Sequence, residues 1–388
     1  MGAACGYYLA RAGLSVQLLE RSFLASGCSG ACEGNLLLWD KELSKELPLG
    51  QRGMVLWSEL AQELETDFEY DVKGSVMVST DEASLAAAGQ KVADLSAAGV
   101  PCRTLDAREI REEEPALAQD IPGGALFPED AQVEPRYATV ALARGGERHG
   151  LTVRQDTPVR RIVLDGAGRV EAVETDRERI PTRAVVVAAG AWSREIAATV
   201  GLEVPVMPRK GQVVVVERAP RFFRRKLMEA GYTASVESSR ADLQVSMVAE
   251  STRAGTLLLG SSRQLVGIDR TVDPAVSAAI AARALRFFPS LGSLRSMRGY
   301  AGVRPFSPDH LPIIGPMAGA EGFYVATGHE GAGIQLSAAT GVLITQAITG
   351  TALDFPADWF SPDRFRQQGA GIHDRVTENT EGHGVGEM

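Results

Sequence analysis

The chain has 388 residues, 45% of them hydrophobic and 23% charged, with a formal net charge of −9. A polypeptide of this size buries a large core and divides by default into two domains. Its acidic balance excludes the basic face that a nucleic-acid partner requires, and its composition excludes disordered, collagen-like and disulfide-stapled classes.

In chain order, residues 3–12 read as a small-residue helix that Gly13 ends with a left-handed cap, followed by an apolar strand over 15–19 that stops at Glu20. Residues 26–34 (SGCSGACEG) have loop composition. Helical spacing covers 53–66 and 81–98, with a strand at 73–79 between them. Asp106 and Glu109 form a capping pattern for a charged helix that Pro115 ends, and 122–129 reads as a turn and strand. An α/β rhythm then resumes, with a helix over 135–149, strands at 151–154 and 159–164, and a hairpin turn at Asp165-Gly166. The run 184–189 (AVVVAA) has the character of a strand buried on both faces. Residues 211–217, 244–249 and 256–260 read as strands of a sheet-rich region. After about residue 300 come loop, a strand at 323–326, a glycine turn and a helix at 334–349. The tail from about 369 has a disordered composition, and no internal repeat is present.

Four cysteines, Cys5, Cys28, Cys32 and Cys102, do not make a disulfide framework or a metal knuckle, so no metal is expected. No signal-peptide pattern is present, and no apolar run reaches the roughly 20 residues that span a bilayer. The expectation is a reduced, cytoplasmic protein without an integral membrane segment, and loose membrane-surface association is compatible with it.

A dinucleotide-binding unit needs a strand, a glycine turn, a helix whose N-terminus faces the pyrophosphate, a second strand, and an acid about 20 residues on. Helix, second strand and acid are all here. Glu20, eighteen residues after Gly2, stands where a carboxylate accepts from ribose hydroxyls, which disfavours a 2′-phosphate. Gly2 reads as the last glycine of the fingerprint, with the first strand and first two glycines lying before Met1, as a start placed too late would produce.

Four further segments, in order, are 185–193 (VVVAAGAWS), 208–214 (PRKGQVV), 299–315 (GYAGVRPFSPDHLPIIG) and 328–334 (GHEGAGI). With the first thirty residues they resemble the D-amino-acid oxidase, glycine oxidase and sarcosine oxidase superfamily over most of the chain, to about residue 350. Within it the chain looks closest to glycine oxidase and to the flavin subunits of hydrogen cyanide synthase and opine or hydroxyproline dehydrogenases. The resemblance implies an α/β fold with a Rossmann-like FAD-binding domain (1–52, 125–206 and 300–368). Interleaved with it is an α+β substrate domain on a large mixed or antiparallel sheet (53–124 and 207–299), and 369–388 remains a disordered tail. It implies FAD, held noncovalently because no cysteine follows Cys102, and a small amino or imino acid as substrate. Oxygen or a partner subunit would take the electrons, in a homo- or hetero-oligomer.

The implied cofactor contacts are Gly2, Glu20 and Arg21, the loop residues Ser26, Cys28, Ser29 and Gly30, then Val159, Gly190, Trp192, and Gly328, Glu330, Gly331, Gly333 and Ile334. Small residues there admit a flat ligand to the backbone, and the helix starting near Ile334 would turn its positive end towards the flavin. Flavin-dependent amine oxidation rests on positioning, and a bidentate arginine best fixes an amino-acid carboxylate. Arg304, in Gly-Val-Arg-Pro, matches the family's carboxylate clamp. Tyr300 is a candidate pocket wall, His329 a candidate base, and Arg263 reads as a solvated strand end. Where glycine oxidase carries a further arginine, Glu330 and Gly331 stand instead, which argues against glycine itself and leaves room for a larger or cyclic substrate. The competing readings are a flavin subunit of a larger amine or opine dehydrogenase and a chain impaired in FAD binding by its missing first strand.

Overall fold

The structure is a computed structural model, and it describes residues 1–233 and 242–368. The predicted tail, 369–388, lies outside the described residues. The chain opens with α1 (Gly2–Arg11), β1 (Gln17–Leu19), β2 (Asn35–Leu36) and α2 (Glu46–Glu63). Then come β3 (Ser75–Ser79), α3 (Glu82–Ala97), β4 (Arg103–Asp106), α4 (Ala107–Glu113), β5 (Gly123–Phe127), β6 (Ala131–Gln132) and α5 (Pro135–Glu147). The middle of the chain carries β7 (Thr152–Arg154), β8 (Val159–Leu164), β9 (Val170–Thr175), β10 (Arg179–Pro181), β11 (Val185–Val187) and α6 (Ser193–Ala198). It continues with β12 (Met207–Arg218), β13 (Lys226–Glu229), β14 (Gln244–Ser251), β15 (Thr256–Arg263) and α7 (Pro274–Phe287). Last are β16 (Ser296–Phe306), β17 (Ile313–Pro316), β18 (Phe323–Thr327) and α8 (Gly333–Thr349).

Eight strands form one mixed sheet in the order β16-β12-β15-β14-β13-β3-β5-β4, antiparallel except where β13 meets β3. Alternation along each strand sorts its side chains onto two faces. One face presents Val76, Val78, Val214, Val216, Leu227, Met247, Leu257 and Leu259 to Val276, Ile280, Ala284 and Phe287 of α7. The other presents Met77, Met228 and Val248 to Leu37, Leu38 and Trp39 of the N-terminal segment, together with a row of buried charges described below.

The rest of the molecule is the α/β half. Parallel pairs β1·β7 and β11·β18 are backed by α1, α2, α5 and α8, whose apolar faces share a core of Tyr7, Trp57, Leu142, Leu336 and Ile344. Helices α1 and α8 touch backbone to side chain: a Cβ on Gly341 would stand 2.9 Å from Ala4 O and 2.7 Å from Tyr8 Cδ2.

Several expectations meet the structure differently. Helix α2 begins seven residues before the predicted 53, because Pro48 falls in its first turn, where a missing N–H costs nothing. The glycine-bearing stretch read as loop after 300 belongs to β16, an edge strand, where Pro305 and two glycines are tolerated. In β11, Val185 and Val186 remain partly exposed, since among the described residues that strand pairs on one side only, with β18. Finally, Glu330–Thr349 is long and apolar enough to cross a membrane by length and composition, contrary to the sequence reading. Half of it is buried in the protein, where its apolar side chains pack on α1 and α2.

Candidate cofactor and substrate site

The carboxyl ends of the parallel strands converge. A Cβ on Gly2 would lie 3.3 Å from Leu18 Cδ1 and 3.8 Å from Ala188 Cβ, so the start of α1 sits between the ends of β1 and β11. Glu20, just past β1, accepts from Ser22 N (2.9 Å) and Ser26 Oγ (3.3 Å). Its own carbonyl accepts from Thr157 N (2.9 Å), which places Val159 close by. The Arg21 guanidinium lies 4.0 Å from the centroid of the Trp192 ring. Past β11, Gly190 takes φ 58° and accepts at its carbonyl from Thr327 Oγ1 (2.9 Å), tying the end of β11 to the end of β18. Gly328, at φ 77°, and Gly331 follow β18.

In open α/β sheets ligands bind beyond the carboxyl ends of the strands, and the helix starts here suit an anion. Neither α1 nor α8 has a side-chain N-cap, a state shared with α2 and α6, whereas α3, α4, α5 and α7 are capped by Asp81, Asp106, Glu134 and Asp273. Uncapped N–H groups and a positive helix end are what a pyrophosphate needs. Cβ positions on Gly27 and Gly190 would meet nothing within 4 Å, so these turns offer bare backbone to a flat group. The residues therefore fit a dinucleotide.

The loop carrying Cys28–Ala31 leaves this edge and docks on the large sheet. Cys28 Sγ donates to Val303 O (3.0 Å), which turns the thiol towards the large sheet. A Cβ on Gly302 would strike Ala31 Cβ at 2.7 Å. Opposite Gly302 in the β12·β16 register stands Gly211, and Arg304 stands opposite Arg209. The Arg304 guanidinium folds back over Gly211, whose Cβ, if present, would be 2.1 Å from Nη1, and Nη1 donates to Ser262 O (3.0 Å).

Two more arginines join it. Arg209 and Arg263 are each 1% exposed, and each lies 3.5 Å from Glu330 Oε1. Arg263 also lies 4.6 Å from the Tyr232 ring centroid. Its reading as a solvated strand end is corrected, because the end of β15 is covered by the 328–331 turn. Burial alone would raise the Glu330 carboxyl, but Arg263, Arg304 and Arg209 together hold it below the usual range. The Glu330 side chain thus faces arginines, and its backbone, at φ 44°, shapes the turn after β18.

His329 is brought to the same turn, but not as a base. It is 4% exposed, its Nε2 shares a 3.0 Å hydrogen bond with Thr340 Oγ1 of α8, and burial pulls its pKa down to about 3. A neutral imidazole held this way is a brace for the turn, which corrects the reading of His329 as a proton acceptor. Tyr300 does face the site: its OH lies 3.5 Å from Cys32 O, and burial, then Glu33, hold the phenol well above its usual range.

A second charged group lies on the same face and was not singled out from the sequence. Lys226 Nζ is 2.9 Å from Glu250 Oε2 and 3.6 Å from Glu33 Oε2, with all three side chains at least nine-tenths buried. Burial alone would lower the Lys226 pKa, and the two carboxylates hold it above the usual value. The legible signal was a lone acid, Glu33, in a loop of small residues.

Comparison with known proteins agrees with this geometry. The family model described as FAD dependent oxidoreductase (DAO) matches residues 1–347. The hydrogen cyanide synthase subunit HcnC of Pseudomonas protegens is 32% identical over 302 residues, covering 77% of this chain and 68% of HcnC. Glycine oxidase of Geobacillus kaustophilus is 28% identical over 94% of both chains, and its crystal structure superposes with a TM-score of 0.84 over 93% of this chain and 95% of that one, at 26% identity. The crystal structure of L-proline dehydrogenase from P. horikoshii gives 0.85 at 22% identity, covering 94% and 95%. The chain belongs to the DAO family of FAD-dependent oxidoreductases.

Proposed function

We propose that the enzyme oxidises the C–N bond of a small α-amino or imino acid. In this reading the α/β half (1–52, 125–206 and 300–368) holds FAD noncovalently, and the large-sheet half (53–124 and 207–299) presents the substrate. The observation that carries it is the Arg304 guanidinium, clamped between Gly211 and Ser262 O on the sheet face that borders the carboxyl edge. Planar N–H pairs of an arginine recognise a carboxylate in bidentate fashion. Glu330 balances part of the charge of Arg209 and Arg263, so the excess positive charge on this face suits a single carboxylate. The activities named for glycine oxidase and L-proline dehydrogenase support the class of substrate.

The hydride acceptor would come from FAD when bound, and water would hydrolyse the product imine. The chain's own residues bind and orient. Arg304 fixes the carboxylate, the facing glycines 211 and 302 keep the floor flat, and Tyr300 walls one side. The neutral His329 brace holds the 328–331 turn in place. On the cofactor side the reading assigns Glu20 to the ribose, the start of α1 to the pyrophosphate, and the start of α8 with Gly331 to the flavin.

The test is a screen of D- and L-amino acids, prolines and opines for anaerobic bleaching of the bound flavin, with oxygen and a dye compared as acceptors for the hits. Bleaching by none of them would overturn the reading. With a substrate in hand, Arg304→Ala should lower kcat/KM at least about 30-fold, chiefly through KM, at unchanged flavin content. Wild-type kinetics would remove the clamp.

A further inference from the structure

We propose that Glu33 is the receptor for the substrate nitrogen: its Oε1 accepts an N–H from the amine borne by the same α-carbon as the carboxylate on Arg304. The inference rests on the amino-acid reading above and narrows it to a two-point zwitterion site. The Glu33 side chain is 9% exposed, its Oε2 faces Lys226, and Oε1 is buried with no hydrogen-bond partner among the described residues. Leaving a buried carboxylate oxygen without a donor costs about 1–3 kcal/mol or more. A site that meets a ligand N–H recovers that cost on binding.

Two glycines make the placement possible. Gly302 admits the loop that carries Glu33 onto the sheet, and a Cβ on Gly260 would stand 2.5 Å from Oε1, so only glycine lets the carboxylate lie flat on β15. Past the Val214↔Leu259 pair β15 slips by one residue before Gln264 pairs with Lys210, which leaves Gly260 near Val213 and roughly diagonal to Gly211. Diagonal positions on adjacent strands are roughly 7–8 Å apart, and Oε1 lies over the first glycine as the Arg304 guanidinium lies over the second. Charge-assisted hydrogen bonds of about 2.8 Å at each end take up most of that span and leave roughly 1.4–2.4 Å between, short enough that only a nitrogen and a carboxylate on one α-carbon can meet both. Distal side-chain groups would overshoot.

Glu33 and Glu250 share one ammonium, Lys226, and the other nearby cation, Lys73, donates to Ser251 O (2.8 Å). Glu250 Oε1 is likewise buried without a partner among the described residues. Tyr300 stands opposite Val213 in the register and fills the side of the gap.

The experiment uses the FAD-loaded protein and a pair of ligands that cannot be oxidised. Pyrrole-2-carboxylate presents a ring N–H beside its carboxylate, and 2-furoate, of the same shape, presents a ring oxygen. Each is titrated against the visible spectrum of the bound flavin. The wild type should bind the pyrrole at least about 10-fold more tightly, the worth of one hydrogen bond to a charged acceptor. Glu33→Ala and the isosteric Glu33→Gln should each bring the two affinities to within about threefold while leaving 2-furoate binding near wild type. A preference that survives in both variants overturns the assignment, as does an equal loss of both ligands, which would mark a merely structural Glu33. Loss of both ligands in Arg304→Ala with the wild-type preference absent would sink the Glu33 assignment alone. Failure of both ligands to perturb wild-type flavin would sink the amino-acid reading with it.

Discussion

The two faces of the eight-stranded sheet are built from the same strands and differ in almost everything else. Beneath α7 the sheet presents a cluster of aliphatic and aromatic side chains, with Glu229 at its margin paired to Arg283 of the helix. On the opposite face the same strands bury Arg209, Lys226, Glu250 and Arg263. Apolar burial stabilises a fold in proportion to area, whereas buried ion pairs roughly break even or cost stability against apolar replacements. One face holds the molecule together, and the other spends stability on fixed charge where a ligand is to be read.

That contrast breaks in a graded way. Phe287→Ala, at a fully buried position under the apolar face, should lower the unfolding free energy by about 4 kcal/mol in a denaturant titration and leave KM unchanged. A shift in KM would mean the two faces are mechanically coupled. Glu330→Ala on the charged face should cost about 3 kcal/mol, because Arg209 and Arg263 lose their shared counter-ion. Carboxylate ligands such as 2-furoate should nevertheless bind more tightly to that variant, since the uncompensated guanidinium charge remains. Weaker binding would show that Glu330 shapes the arginines more than it neutralises them.

The smallest expected effect is a pH dependence, about 2 kcal/mol over the window from pH 6.5 to 5. His329 in the folded state has its pKa lowered from 6.5 to about 3 by burial, so below pH 6.5 the unfolded chain takes up a proton that the folded one refuses. Stability from this group is complete above pH 6.5 and declines as the pH falls towards 3, by about 1.4 kcal/mol per unit. His329→Asn, which can still bond Thr340, should lose less stability between pH 6.5 and 5 than the wild type. Parallel curves would contradict the buried, neutral imidazole.

Much of the fold was legible because local chemistry and tertiary fate agree. The Asp106–Glu109 capping box forms as read, β8 spans 159–164, and the helix after Gly333 runs to 349. Helix α7 went unread although Asp273 and Pro274 mark its start, and β16 was masked by glycines that an edge strand tolerates. The dinucleotide edge was readable as a pattern because its glycines and Glu20 stand close in sequence to the strands they follow. The charged face was not. Arg209 and Lys210 are adjacent cations with opposite destinations, one to Glu330 and one to Asp269. Only the pleat of β12 decides between them. Glu33, Lys226 and Glu250 come from three distant stretches, and a charge pairing across such a gap leaves no periodicity behind.

The contact of Gly341 with Ala4 has a mechanical consequence. Side chains let packed helices creep past one another by small rotamer adjustments, but Gly341 offers none: the Tyr8 ring and the Ala4 carbonyl occupy the space a Cβ would need. The spacing between α1 and α8 is therefore a stiff gauge, and in the cofactor arrangement proposed above the pyrophosphate and flavin ends would inherit a fixed pitch from it. A change of one methyl group at residue 341 would re-space both helices at once.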